Sequence, residues 1–270
     1  MIYADNNGSC PLKKEIQDYL QNRWSAPLGN PNAIHKIGQE LNLGIEKCRS
    51  IIAQSFGAKS SQVIFNSGAS EGISHIYHHV MLGNSKKIII SSPIEHSSIE
   101  MANQFYQSLG KKIIYLTVDK KGVVNPDELE SLLEKHSSEI ALVSIMAANN
   151  ETGVIQPFQK IAELTQKYQV PYLCDTTQYI GKAPFHFNQS QIDYAVCSGH
   201  KLGALTGTGF ILVKNPTSFS PFIFGGGQER GMRGGTQNYI GIETLAMATQ
   251  ICVEEMNLLS DLKSEKEKFE

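Results

Sequence analysis

The 270-residue chain carries 24 Lys and Arg against 26 Asp and Glu, a formal net charge of −2 that provides no basic field for gripping a phosphate backbone. Its residues are 41% hydrophobic, enough for a substantial core, and no apolar run approaches the roughly 18 residues that cross a bilayer. Nucleic acid and membrane are therefore excluded as principal partners, and a soluble globular protein is expected.

The N-terminus, Met1-Ile2-Tyr3-Ala4-Asp5-Asn6, has neither a basic start nor a long apolar stretch, which points to a cytoplasmic setting. Residues 25–35 are rich in Pro, Gly and Asn and predict an irregular loop. From there on, short β-rich apolar runs alternate with helical periodicity. The runs at 62–66, 87–92, 112–117, 140–146, 171–175, 192–198 and 209–213 read as strands. The stretches 97–109, 126–135 and 158–168 are amphipathic and long enough to be crossover helices. This rhythm predicts an α/β fold, a largely parallel sheet with helices on both faces. From Tyr239 a last helix places Ile242, Leu245, Thr249, Cys252, Met256 and Leu259 on one face. The chain ends inside that helical pattern at 266–270 without a stop signal, as expected of a chain cut short relative to the unit it was built for.

Several strand ends carry residues suited to chemistry. Lys201 closes Ser198-Gly199-His200-Lys201 after the sixth strand. A lysine there can lose its proton through desolvation and form a Schiff base with an aldehyde, although a lone lysine in a loop is more often just solvated. Asp175 ends the fifth strand, where a carboxylate can hold a pyridine nitrogen protonated or simply cap a helix. The two together fit pyridoxal phosphate better than either alone. The turn Asn66-Ser67-Gly68-Ala69-Ser70-Glu71 opens a helix whose N–H groups, with the Ser70 hydroxyl, suit a phosphate; an ordinary serine cap is the alternative. His96, after the second strand, can stack on a ring or move protons. Asn149-Asn150-Glu151-Thr152-Gly153 offers a side-chain amide at the carboxyl edge of the sheet. The glycine-rich run 225–236, with Arg230 and Arg233, suits an anion or a partner subunit.

Other features read as structural. His75, His78 and His79 have helical spacing but lack the H-E-x-x-H glutamate, which argues against a metal site. The loop 203–209 has neither P-loop nor dinucleotide spacing. Cys10, Cys48, Cys174, Cys197 and Cys252 are odd in number and scattered, so they read as reduced thiols rather than a disulfide framework.

Taken in order, Asn66-Ser-Gly-Ala-Ser-Glu71, Glu95-His96, Asn149-Asn-Glu-Thr-Gly153, Asp175-Thr-Thr-Gln178, Ser198-Gly-His-Lys201 and the run Gly225 to Thr236 resemble the cysteine desulfurases, a class V branch of the fold-type I pyridoxal phosphate enzymes. The opening Tyr3 to Leu12 and the loop Gly29-Asn-Pro-Asn32 with His35 are similar to the family's N-terminal segment. The resemblance implies a three-layer α/β/α large domain with a mainly parallel seven-stranded sheet. It divides the chain into an N-terminal segment, 1–12, a cofactor-binding large domain, 13–256, and the start of a connecting helix, 257–270, with the small domain absent.

The resemblance also implies roles. Lys201 would carry the cofactor as a Schiff base, Asp175 would partner the pyridine nitrogen, and His96 would stack on the ring and move protons. Gln178 would reach the phenolic oxygen, with Asn150 near that oxygen and the substrate carboxylate. Ala69, Ser70, Ser198 and His200 would hold the phosphate, and Thr236 would reach the phosphate of a neighbouring subunit in a homodimer. The implied reaction converts L-cysteine to L-alanine by passing sulfur to an enzyme cysteine, and a sulfur-acceptor protein would follow. In the family that cysteine, with an arginine for the substrate carboxylate, lies in a C-terminal small domain beyond this sequence, and no cysteine here matches it. Cys10 could lie near the substrate or be a bystander. A non-catalytic scaffold homologue, a selenocysteine lyase and an aminotransferase are the other readings.

Overall fold

The computed structural model describes residues 2–27 and 29–256. Seven strands form one sheet: β1 (Val63–Asn66), β2 (Ile88–Ser91), β3 (Lys112–Tyr115), β4 (Ile140–Ser144), β5 (Tyr172–Asp175), β6 (Tyr194–Ser198) and β7 (Gly209–Val213). Each falls inside a run read from sequence. Fully buried strands of a helix-covered sheet are apolar throughout, which makes them conspicuous. The spatial order is β1-β7-β6-β5-β4-β2-β3. β3, β2, β4, β5 and β6 pair in parallel, and β7 lies antiparallel between β6 and β1.

The helices are α1 (Lys14–Arg23), α2 (Lys36–Ser55), α3 (Ala69–Met81), α4 (Ser97–Ser108), α5 (Pro126–His136), α6 (Phe158–Lys167), the single turn α7 (Phe187–Ser190) and α8 (Tyr239–Glu255). Alternation along each strand assigns them to two layers. Val63, Phe65, Ile88, Ile90, Tyr172, Cys174, Phe210 and Leu212 face a core shared with α1, α2, α5, α6 and α8. Ile64, Ile89, Leu173, Val196 and Ile211 face the opposite core, under α3 and α4. The result is the expected three-layer α/β/α domain. Along α8, Ile242, Leu245, Thr249 and Cys252 are buried and Met256 is half-buried, as the periodicity predicts. Leu259 and the segment 257–270 lie outside the described residues. Among the described residues no helix is long and apolar enough to cross a membrane.

The topology creates the site. The chain leaves β2 outward to β3 and then returns to place β4 on the other side of β2, a switch point where two neighbouring loops diverge and open a crevice. β1 is parallel to β6 through the intervening antiparallel β7, so the carboxyl ends of β1, β2, β4, β5 and β6 share one edge.

The glycine-rich loop after β7 is held by a buried ion pair. Glu229 and Arg230 both adopt left-handed backbone, at φ 47° and 57°, which costs on the order of 1–3 kcal/mol per residue. The Glu229 carboxylate accepts from Arg49 Nη1 at 2.6 Å, Arg49 Nη2 at 2.9 Å and the Phe65 N–H at 2.9 Å, with both charged side chains almost fully buried. Removing the carboxylate strands the guanidinium, which retains Glu46 and the Val63 carbonyl. Glu229→Ala is therefore expected to lower the free energy of unfolding by about 3 kcal/mol, the low end for a broken buried pair. Urea denaturation measures this, and a loss well under about 1 kcal/mol would show that the pair does not anchor the loop.

Candidate active site

At the shared carboxyl edge lies a cavity of about 480 Å³, lined by Ala69, Ser70, His96, Asn150, Asp175, Gln178, Ser198, His200 and Lys201 among others. Its size suits a small organic ligand.

One wall is the turn from β1 into α3. Gly68 occupies the cap position at φ 146° with no side chain to cap the helix, and a Cβ there would meet Ser198 Oγ at 3.1 Å. The alternative of an ordinary serine cap is therefore not what forms. Gly68 N–H turns back to Asn66 Oδ1 at 3.0 Å, and among the described residues the Ala69 and Ser70 N–H groups have no acceptor. Open N–H groups at a helix start suit an anion. Glu71 accepts from Ser67 N–H at 2.9 Å and forms a two-pronged pair with Arg233 at 2.9 and 3.2 Å. Burial raises its pKa, but Arg233 and Ser67 more than offset this and hold it below the ordinary value. The acid beside the anion cup is thus neutralised in place.

Asp175, at the end of β5, is buried at 6% exposure and accepts the Thr177 N–H at 2.9 Å. It caps no helix. Burial pushes its pKa up, opposed by Thr177 and the nearby charges of His96 and Lys201. Gln178 follows on the same turn.

His96 caps α4: its Nδ1 accepts the Ser98 N–H at 3.2 Å and lies 2.8 Å from Ser98 Oγ. That hydrogen bond assigns the neutral ring's proton to Nε2. The neighbouring Glu95 ties the β2–α4 turn to the end of β4, since Oε1 accepts from Ser92 Oγ at 2.5 Å and Met146 N–H at 3.1 Å. Among the described residues its Oε2 is buried without a partner. Burial first, and then the charge of Asp175, push Glu95 up to about 8. After β4, Asn149 Oδ1 accepts from Glu151 N–H at 2.9 Å and Thr152 N–H at 2.8 Å, while Nδ2 donates to Ile94 O at 2.9 Å. This turn holds Asn150 at the cavity.

Lys201 stands in the short 3₁₀ turn after β6. Its Nζ donates to Asn7 O at 2.5 Å and Gly8 O at 2.7 Å, so the N-terminal segment straps across it. Desolvation lowers its pKa, against the charges of Asp5 and Asp175. His200 lies 3.2 Å from Ser9 Oγ through Nδ1, and burial followed by the Lys201 charge lowers its pKa.

Of the sequence-predicted residues, only Thr236 is not brought to this cavity; it is exposed on the glycine-rich loop. Sequence reading missed Gly8, Met146, Ala148, Thr177, Thr206 and Gly207, which also line the cavity. Thr206 and Gly207 belong to the glycine-rich loop set aside as non-nucleotide, and Thr177 sits two residues from Asp175, the one local signal available. None of the five cysteines lines the cavity, Cys10 included. The histidines of α3 serve packing: His75 Nε2 lies 2.8 Å from Ser220 O, His79 Nδ1 accepts Ser220 N–H at 3.1 Å, and both rings pack on Phe219.

A family model described as Aminotransferase class-V matches residues 2–270. The cysteine desulfurase IscS of Dictyoglomus turgidum is 34% identical over 258 residues, covering 95% of this chain and 65% of the relative. The putative cysteine desulfurase IscS 1 of Bacillus subtilis is 33% identical over 267 residues, covering 98% and 69%. Among solved structures, one titled NifS-like protein superposes with a TM-score of 0.92 at 36% identity, covering 98% of this chain and 74% of that one. Another, titled SspA in complex with cysteine, gives 0.88 at 30% identity, covering 93% and 72%. The chain thus spans about two thirds of the length of the curated relatives it matches.

The raised pKa of Glu95 has a measurable consequence. Unfolded, the group titrates near the ordinary carboxylate value; folded, near 8. The folded state therefore binds more protons between those values, and this contribution to stability, complete at low pH, is lost as pH rises toward 8. Glu95→Gln, which mimics the protonated acid, is expected to lose less stability between pH 5 and pH 8 than the unaltered chain, read from urea midpoints. Parallel declines in the two proteins would refute the assignment.

Proposed function

Because the chain belongs to the class-V aminotransferase family, we propose that it is a pyridoxal phosphate-dependent cysteine desulfurase domain acting on L-cysteine. Members of this family are pyridoxal phosphate-dependent. The observation that carries the proposal is one cavity that combines a desolvated amine, a buried acid, a histidine and an open helix start. These residues fit the cofactor. The buried Asp175 carboxylate, the N–H groups of Ala69 and Ser70, which have no acceptor among the described residues, and the space kept open because residue 68 has no side chain are what a ring with a phosphate arm requires.

Bound there, pyridoxal phosphate supplies an aldehyde that joins amines and a ring that withdraws electrons from the substrate's Cα. Lys201 would hold the aldehyde carbon, Asp175 the ring nitrogen, Gln178 the phenolic oxygen, and Ala69, Ser70, Ser198 and His200 the phosphate. Asn150 would orient the substrate carboxylate. Desolvation prepares Lys201 to act as a neutral amine, and it must release the Asn7 and Gly8 carbonyls to do so. Asp175, buried and accepting the Thr177 N–H, would gain from a cationic partner. His96, with its Nε2–H available, would donate and recover a proton at the reacting atoms.

The net reaction breaks the Cβ–S bond of L-cysteine and forms an S–S bond with an attacking thiol, yielding alanine and a persulfide. Since no cysteine lines the cavity, the attacking thiol must reach it from elsewhere. The exposed Thr236 would serve the phosphate of a second copy of the chain, making a homodimer with shared sites. A sulfur-acceptor protein would take the persulfide sulfur.

With pyridoxal phosphate, L-cysteine and an added small thiol such as dithiothreitol to take the sulfur, the protein is expected to form alanine, and Lys201→Ala is expected to abolish both this product and the visible absorbance of the bound cofactor. Cofactor binding without alanine or sulfide from L-cysteine would overturn the desulfurase assignment.

A further inference from the structure

The turn after Asp175 carries a second amine with no part in the roles above. Residues 176–183 fold back on themselves: Tyr179 and Ile180 N–H donate to Thr176 O, and Lys182 and Ala183 N–H donate to Tyr179 O. Gly181 takes a left-handed conformation at φ 77°, a backbone that favours glycine. The fold-back brings Lys182, half-buried, over Gln178. Lys182 Nζ donates to Gln178 Oε1 and, at 3.2 Å, to Asn7 Oδ1, and Gln178 Nε2 donates one hydrogen to Asn7 O at 2.9 Å.

A carboxamide can sit either way round, and its neighbours decide which. An ammonium group only donates, so it fixes the atom it meets as oxygen; the flipped amide would set N–H groups against an ammonium. We propose that Lys182 is a positioning residue: it locks the Gln178 carboxamide with the oxygen turned to itself, so that the amide nitrogen, with a hydrogen to spare, serves the cavity as a donor. The ligand group this donor would take is the phenolic oxygen of the pyridoxal ring, so the inference rests on the site reading above. Burial and the Lys201 charge lower the Lys182 pKa, consistent with an amine enclosed beside the site.

A donor aimed at the phenolic oxygen favours its anion and lowers the pH at which the bound cofactor's visible band titrates. The test loads the full chain and its variants with pyridoxal phosphate and follows that midpoint, with circular dichroism as a check on folding. Gln178→Ala and Lys182→Met are each expected to raise the midpoint by roughly half to one pH unit. The double variant is expected to match Gln178→Ala alone, because Lys182 acts through Gln178. Lys182→Arg is expected to restore most of the unaltered value, and Lys182→Ala replaces Lys182→Met if the latter does not fold. A shift for Gln178→Ala but none for Lys182→Met, or additive shifts in the double variant, would overturn the positioning role and leave the site reading standing. No shift for Gln178→Ala would overturn both.

Discussion

A buried carboxylate and a partly desolvated amine that open on one cavity are the constraint on which this structure turns. Asp175 accepts the Thr177 N–H, and its burial disfavours the charged form. Such an arrangement is costly by itself and would become favourable if, as proposed, a cationic ring nitrogen stood against it. Lys201 is the complement: burial weakens its hold on a proton, which a nucleophilic amine must give up. The two meet because β5 and β6 are parallel neighbours whose carboxyl ends open on one edge.

The scaffold is arranged around that edge, and its own polar groups are held in place. Glu95 joins the β2–α4 turn to β4 and so sets where His96 begins its helix. Arg233 neutralises Glu71 beside the open start of α3, so that an anion there meets no free negative charge. Further back, the Arg49–Glu229 pair fixes two left-handed residues of the loop that carries Thr236. Each is a long-range contact that stabilises a short segment of backbone at the cavity or at the loop proposed to serve a second copy.

How much of this could be read from the sequence follows from the range of the interactions. The seven strands were legible because a sheet covered on both faces needs unbroken apolar runs, and α4, α5 and α6 because they bury one stripe. The antiparallel setting of β7 was not, since pairing direction leaves no mark on Gly209–Val213. Lys201, Asp175 and His96 could be reasoned from strand ends; Gln178 and Thr236 came only from resemblance. Thr177 and Glu95 stood beside recognised residues without a signal of their own, and the contacts that Lys182 and Gln178 make with Asn7 reach the far end of the chain. No local pattern encodes such a contact.

The most direct measurement is chemical trapping of the amine that takes the cofactor. The protein would be loaded with pyridoxal phosphate, reduced with borohydride, digested and mapped by mass spectrometry. One phosphopyridoxyl group, on Lys201, is the expected result. A label on Lys182 or another lysine, or one scattered over the surface lysines, would contradict it.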